Sequence, residues 1–247
     1  MRYPKYSGFA GLLSMALFRL PLLLNKKISF WKLLGCGKNG TFNIHLDWKQ
    51  YAVLTVGSWQ SPVSSFQLRV SCKPQTTNLP SGQASYKLIY GSFINWWWQF
   101  FKCETYTIIL EPLKGYGTWD GKKAFGDIFK LSEYEGLIAV LTRATIRLKR
   151  LKTFWQHVDG VSSMMASATG FIFSVSIGEM PWIRQGTFSV WQSREDMETF
   201  AYKMHAHTEV IKKTRKENWY SEEMFIRFKP VAAFGSLNGN NPLDGKL

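Results

Sequence analysis

The feature that most constrains this chain is a change of hydrophobic period, from two to about three and a half and back, made twice between Leu137 and Lys229. Ile138 to Ile146 (IAVLTRATI) has the β-branched content of a strand. Leu148, Leu151, Phe154, Trp155 and Val158 then recur at helical spacing, with Lys149, Arg150 and Lys152 between them. GFIFSVSIG and GTFSVWQS read as two strands, separated by the turn-prone segment Glu179 to Gln185 with Pro181. A long helix is expected next. Ser193 caps it, Arg194-Glu195-Asp196 opens its first turn, and Met197, Phe200, Ala201, Met204 and Ile211 mark its inward stripe. Met224 to Lys229 closes the run as a strand, so the order is β-α-β-β-α-β, a ferredoxin-like plan over residues 137–232.

The first half carries weaker signs of the same plan. FWKLL (Phe30 to Leu34), YAVLTV (Tyr51 to Val56) and YTIIL (Tyr106 to Leu110) read as strands, and FINWWWQFF (Phe93 to Phe101) as an apolar helix. No opening strand is evident before Gly8. Residues 60–92 hold Pro62, Pro74, Pro80 and Gly82 among Ser, Thr and Gln, and are read as an insertion or broken helix. The expected class is α+β: two tandem ferredoxin-like units, a divergent or incomplete first over 1–130 and a second over 137–232. A mobile Gly- and Asn-rich tail over 233–247 follows.

Composition narrows the function classes. The chain is 16% aromatic, with 11 Trp and 18 Phe, which serves either a bulky core or an aromatic-lined ligand cavity. Lys and Arg number 31 against 17 Asp and Glu, a formal charge of +14. Nucleic acid or an anionic membrane surface would suit that excess; solvated helix faces are the plainer explanation of RATIRLKRLK and KKTRK. Three dispersed cysteines, Cys36, Cys72 and Cys103, form neither a disulfide framework nor a zinc ribbon, in keeping with a reducing cytoplasm. Gly8 to Leu24 is apolar like a signal segment, but Arg19 and Pro21 interrupt it and no small-residue cleavage site follows. The sequence has no G-x-S-x-G elbow, P-loop or H-E-x-x-H.

Five residues remain as candidates. His205 and His207 are two apart, so on a helix they diverge and cannot chelate one metal together. On an unbroken wheel His207 lies nearer the inward stripe; it is either a core histidine bonded to a carbonyl or an axial ligand for haem iron. Arg143 sits in an otherwise apolar strand, on the face of Leu141 and Thr145, where it serves either a cofactor carboxylate and an oxygen species or an ion pair. Trp119 and Asp120 fall in a Gly-bounded turn, GTWDG, whose aspartate caps the turn or does acid/base work.

Several stretches together resemble the spheroidene monooxygenase family of carotenoid-modifying enzymes: FWKLLGCG, YAVLTV, TYTIILEPLKGYGTWDGKKAF, LIAVLTRATIRLKRLKTFW, FSVSIGEMPWIRQGTFSVW, METFAY and HTEVIKKTRKENWYSEEMFIRF. The resemblance implies a dimeric α+β barrel arrangement of ferredoxin-like units, with a homodimer among its assemblies. It also implies a haem-dependent monooxygenase that inserts oxygen from O2 into an acyclic carotenoid or other long apolar substrate. Electrons would come from a partner such as a ferredoxin, and substrate entry implies peripheral contact with the membrane. His207 matches the histidine that opens the H-x-E-x-I-K segment and is the implied iron ligand; Arg143, Trp119 and Asp120 are implied pocket residues. Two alternatives stand beside this reading: a haem protein with peroxidase- or dehydratase-like chemistry, and a cofactor-free basic binding module. Nucleic acid is the less favoured partner.

Overall fold

Alternation and turn chemistry place the second-half strands where they were expected. A computed structural model describes residues 1–38, 45–57, 66–70, 90–127, 134–203 and 212–247. Within them the strands are β1 (Ile28–Gly37), β2 (Leu46–Gly57), β3 (Phe66–Val70), β4 (Tyr106–Gly117), β5 (Ile138–Ile146), β6 (Phe171–Met180), β7 (Arg184–Trp191) and β8 (Tyr220–Gly235). The α-helices are α1 (Gly8–Leu17), α2 (Arg19–Leu24), α3 (Ser92–Phe100), α4 (Leu151–Ala166) and α5 (Arg194–Glu198). The chain is α+β and its sheets are antiparallel.

Two compact units divide these elements. The first takes Met1–Gly35, Asp47–Glu111 and Val231–Leu247; the second takes Cys36–Leu46 and Pro112–Pro230. Expected boundaries at 130 and 137 therefore give way to an interleaved division, because β4 and β8 are long strands that each contribute to both units.

In the first unit α1, α2 and α3 cover one face of the strands. Tyr51 and Val53 of β2 and Leu33 of β1 meet Phe18, Leu22, Ile94, Trp97 and Trp98 in one buried cluster. Phe18 makes edge contacts to Trp97 and Trp98 at 6.0 and 5.7 Å, each worth about 0.5–1.5 kcal/mol beyond the area it buries. Close approach at Gly11 permits this: a Cβ there would lie 2.2 Å from the Tyr51 ring. The apolar N-terminal run breaks between α1 and α2, ahead of Pro21, which has no N–H to return to the preceding turn.

Two short stretches complete the first sheet. Arg2 bridges both Gln50 and Glu104 in antiparallel sense, and β3 pairs with β2 and β4 further along. Within residues 233–247, expected as a mobile tail, Leu237 and Leu243 are buried, and Asn241 accepts from the Tyr106 hydroxyl at 2.9 Å.

The second unit has the sheet order β8-β5-β7-β6. Ser193 caps α5 as expected, its hydroxyl accepting from the Asp196 N–H at 3.0 Å. The helix does not run on regularly, however: Thr199–Lys203 form a π-helical turn.

Candidate functional site

The faces of β5 lead to two different environments. Ile138, Val140, Thr142, Ala144 and Ile146 share the face covered by helices, and each end of that face is sealed by apolar packing. Ile138 and Val140 join Met165, Trp191, Met197 and Phe200; Ile146 joins Phe154 and Trp219. Between these clusters the floor changes character. Thr142 lies beside Thr187, which lies beside Ser176, and Ser189 lies beside Ser174. Three adjacent strands thus present small hydroxyl side chains over a width of about 10 Å. Thr142 is exposed although it stands in a central strand between buried neighbours. The buried Thr187 hydroxyl has no hydrogen-bond partner among the described residues, a cost that a bound group would remove.

Aromatic and ionisable groups border this floor on the β8 side. Phe225 is the β8 neighbour of Thr142, and the half-exposed Tyr116 ring stacks on it at 5.9 Å. Burial and the nearby Glu223 carboxylate raise the Tyr116 pKa, outweighing Arg215, so the phenol stays protonated. Burial pushes the Tyr220 phenol up to about 12, with Glu223 adding to the shift.

The opposite face of β5 carries Arg143, buried to 2% exposure. Its Nη1 donates to Glu222, its Nη2 lies 3.4 Å from Glu179 and 3.8 Å from Asp120, and its guanidinium sits 5.5 Å above the Trp119 ring. The Trp119 indole N–H donates to Glu179 at 2.9 Å, and Arg184 pairs with Asp120 at 3.1 Å. Asp120 and Gly121, both at positive φ, form a tight two-residue turn between Trp119 and Lys122. That turn aims the Gly121 N–H at Glu222, 2.8 Å away, while the Thr118 hydroxyl donates to the same carboxylate at 2.9 Å. Burial would raise the Glu222 pKa, but the Gly121, Arg143 and Thr118 bonds prevail and hold it at about 2.

The residues singled out in the sequence therefore separate. Arg143, Trp119 and Asp120 come together as one constellation, with Glu179, Glu222 and Arg184 as partners the sequence reading did not name. Both terminal nitrogens of Arg143 engage carboxylates, on the face opposite Thr142. His205 and His207 lie outside the described residues. Among the described residues no three or more His, Cys, Asp or Glu side chains gather as a metal site. The hydroxyl floor was missed, although its signal is plain: Ser174 and Ser176 alternate with Val175 and Ile177, and Thr187 and Ser189 with Phe188 and Val190.

Comparison with known proteins puts this geometry in context. The chain is 30% identical over 222 residues to spheroidene monooxygenase of Cereibacter sphaeroides, a match covering 90% of this chain and 61% of that one. It is 29% identical over 235 residues to spheroidene monooxygenase of Rhodobacter capsulatus, covering 94% and 88%. The chain thus spans 61% of the length of the first relative. Among solved structures, aldoxime dehydratase superposes on 100% of this chain and 85% of its own with a TM-score of 0.56 at 10% identity, a likeness of fold. No family model matches the chain.

Proposed function

The chain belongs with the spheroidene monooxygenases in sequence, and from that premise we propose that it is a haem-dependent monooxygenase acting on a long apolar substrate of carotenoid type. The reaction converts a substrate C–H to C–OH: one atom of O2 enters the product and the other leaves as water, at the expense of two electrons and two protons. Haem iron supplies the activation of O2 that amino-acid side chains lack. Electrons come from an external carrier of ferredoxin type.

The observation that carries the reading is the exposed Thr142 in the middle of an otherwise sealed sheet face. A haem held on this face would meet Thr142, Ser176 and Thr187, small hydroxyl side chains from three adjacent strands. The Thr187 hydroxyl has no hydrogen-bond partner among the described residues. His207 is the proposed iron ligand on the strength of the family resemblance. Apolar clusters at both ends of the floor exclude water, and Tyr116, held protonated by burial and Glu223, can donate a proton at its edge. The Arg143 constellation acts from the far side of β5 by fixing the strand and the Trp119-Asp120 turn. The first unit is further read as a divergent copy of the ferredoxin-like plan; the double bridge of Arg2 stands where that plan has its opening strand.

Visible spectra of the protein supplied with haem precursor test this. Wild type should show a Soret band, absent in His207→Ala and in the floor-filling Thr142→Trp, with far-UV circular dichroism retained in both. Retention of the band in His207→Ala removes that ligand. A colourless wild type removes the haem reading, and haem without reductant-dependent O2 uptake moves it to dehydratase- or peroxidase-like chemistry.

A further inference from the structure

The outward side of the first unit's helices is as apolar as the inward side. Along α1 and α2, Phe9, Leu12, Leu13, Leu17, Leu20 and Leu23 follow one another at helical spacing and are 40–71% exposed. The inward stripe is Ala10, Gly11, Ser14, Phe18 and Leu22, all buried. A helix that is apolar all round is stable in a large core or in lipid, and this one has a core on one side only. On α3, Trp96 and Phe100 add exposed rings, stacked at 5.3 Å. Edge contacts Phe18–Phe93 and Phe9–Phe101 join the helices, so the exposed side chains form one continuous patch.

Charge within the helices of the patch has a single sign. The sequence contains no Asp or Glu before Asp47, and none from Tyr90 to Cys103. Lys5, Arg19, Lys26 and Lys27 fall on or beside α1 and α2, and Lys102 follows α3; Arg2 is paired with Asp47. We propose that this face docks the protein on an anionic phospholipid bilayer as a one-sided anchor. Leucine and phenylalanine side chains enter the acyl boundary, Trp96 lies at the headgroup level, and the flanking cations meet lipid phosphates. A second copy of the chain is the poorer occupant, because it would set these cations against their own equivalents. Lys5–Leu24 also has the length and composition to cross a membrane. Crossing would require Ser14, Phe18 and Leu22 to leave the core they now fill, and the helix is broken at Phe18. The anchor does not depend on the oxygenase reading.

Sedimentation of the full chain with vesicles decides this. Vesicles of phosphatidylcholine alone are compared with equal parts of phosphatidylcholine and phosphatidylglycerol, and the protein should partition about tenfold more strongly to the anionic ones, the difference shrinking at high salt. The triple variant Leu13→Glu, Leu20→Glu, Leu23→Glu alters exposed positions only; it should melt like wild type and lose that binding. Wild type left in the supernatant with both vesicles overturns the anchor, as does a folded variant that binds undiminished. A stable wild-type dimer that the variant abolishes, without vesicle binding, assigns the face to a second copy. Bound protein that resists both high salt and alkaline carbonate assigns it to a span.

Discussion

Each unit lays helices on one face of an antiparallel sheet, but the spaces between are filled in opposite ways. In the first unit the sheet face is Tyr51, Val53 and Leu33, and the helices answer with Phe18, Trp97 and Trp98, leaving ring against ring. In the second the central sheet positions are Thr142, Ser174, Ser176, Thr187 and Ser189, with aromatics withdrawn to the ends. Aromatic bulk therefore does two jobs in this chain. It closes the first unit and turns the surplus outward; in the second it walls a floor too small-featured to close itself. Buried hydroxyls in a sheet face weaken packing unless something else supplies their partners, which is why the second unit is the place to look for a bound group.

The comparison can be broken most directly in the first unit. Trp97→Ala should cost about 3–5 kcal/mol in chemical denaturation, because it opens a cavity in a filled core. A loss below about 1 kcal/mol would mean that the space is not filled as described. Of similar size is Arg143→Met in the second unit, about 3–5 kcal/mol, since it strands Glu222 and Glu179 without their cation. Arg143→Lys should recover part of the loss, but not the two-pronged contact.

A pH titration sharpens the contrast further. The Glu222 pKa is depressed from 4.5 to about 2, so its contribution is complete above pH 4.5 and fades as pH falls toward 2. Wild-type stability should slope downward across that window, and Glu222→Gln should flatten the slope. An unchanged slope would detach Glu222 from the network. The smallest effect is expected at the floor itself: Thr187→Val removes an unpartnered hydroxyl and should change ligand-free stability by less than about 1 kcal/mol, in either direction. A large loss there would reveal a partner for the hydroxyl and weaken the case for a binding floor.

Much of the second unit was legible in the sequence, because Ile138 to Ile146, GFIFSVSIG and GTFSVW carry clean alternation between turn signals, and Ser193 marks its helix start by cap chemistry. Other elements escaped for physical reasons. Three residues around Arg2 carry no period, so their place between Gln50 and Glu104 is a tertiary fact. β3 sits in a Pro- and Ser-rich setting that masks its five residues. The π turn at Thr199–Lys203 has no composition signal. Arg143, Trp119 and Asp120 were found as separate suspects; that they meet at Glu179 and Glu222 depends on strand register, which pairs Arg143 with Gly186 and Met224.

A haem held on the second unit's hydroxyl floor, as proposed, would cover β5, β6 and β7. Hydrogen exchange with and without added haem tests it most directly. The account predicts that haem slows exchange in peptides spanning 138–146, 171–180 and 184–191, and leaves 46–57 and 92–100 unchanged. Protection confined to the first unit, or none at saturating haem, would contradict it.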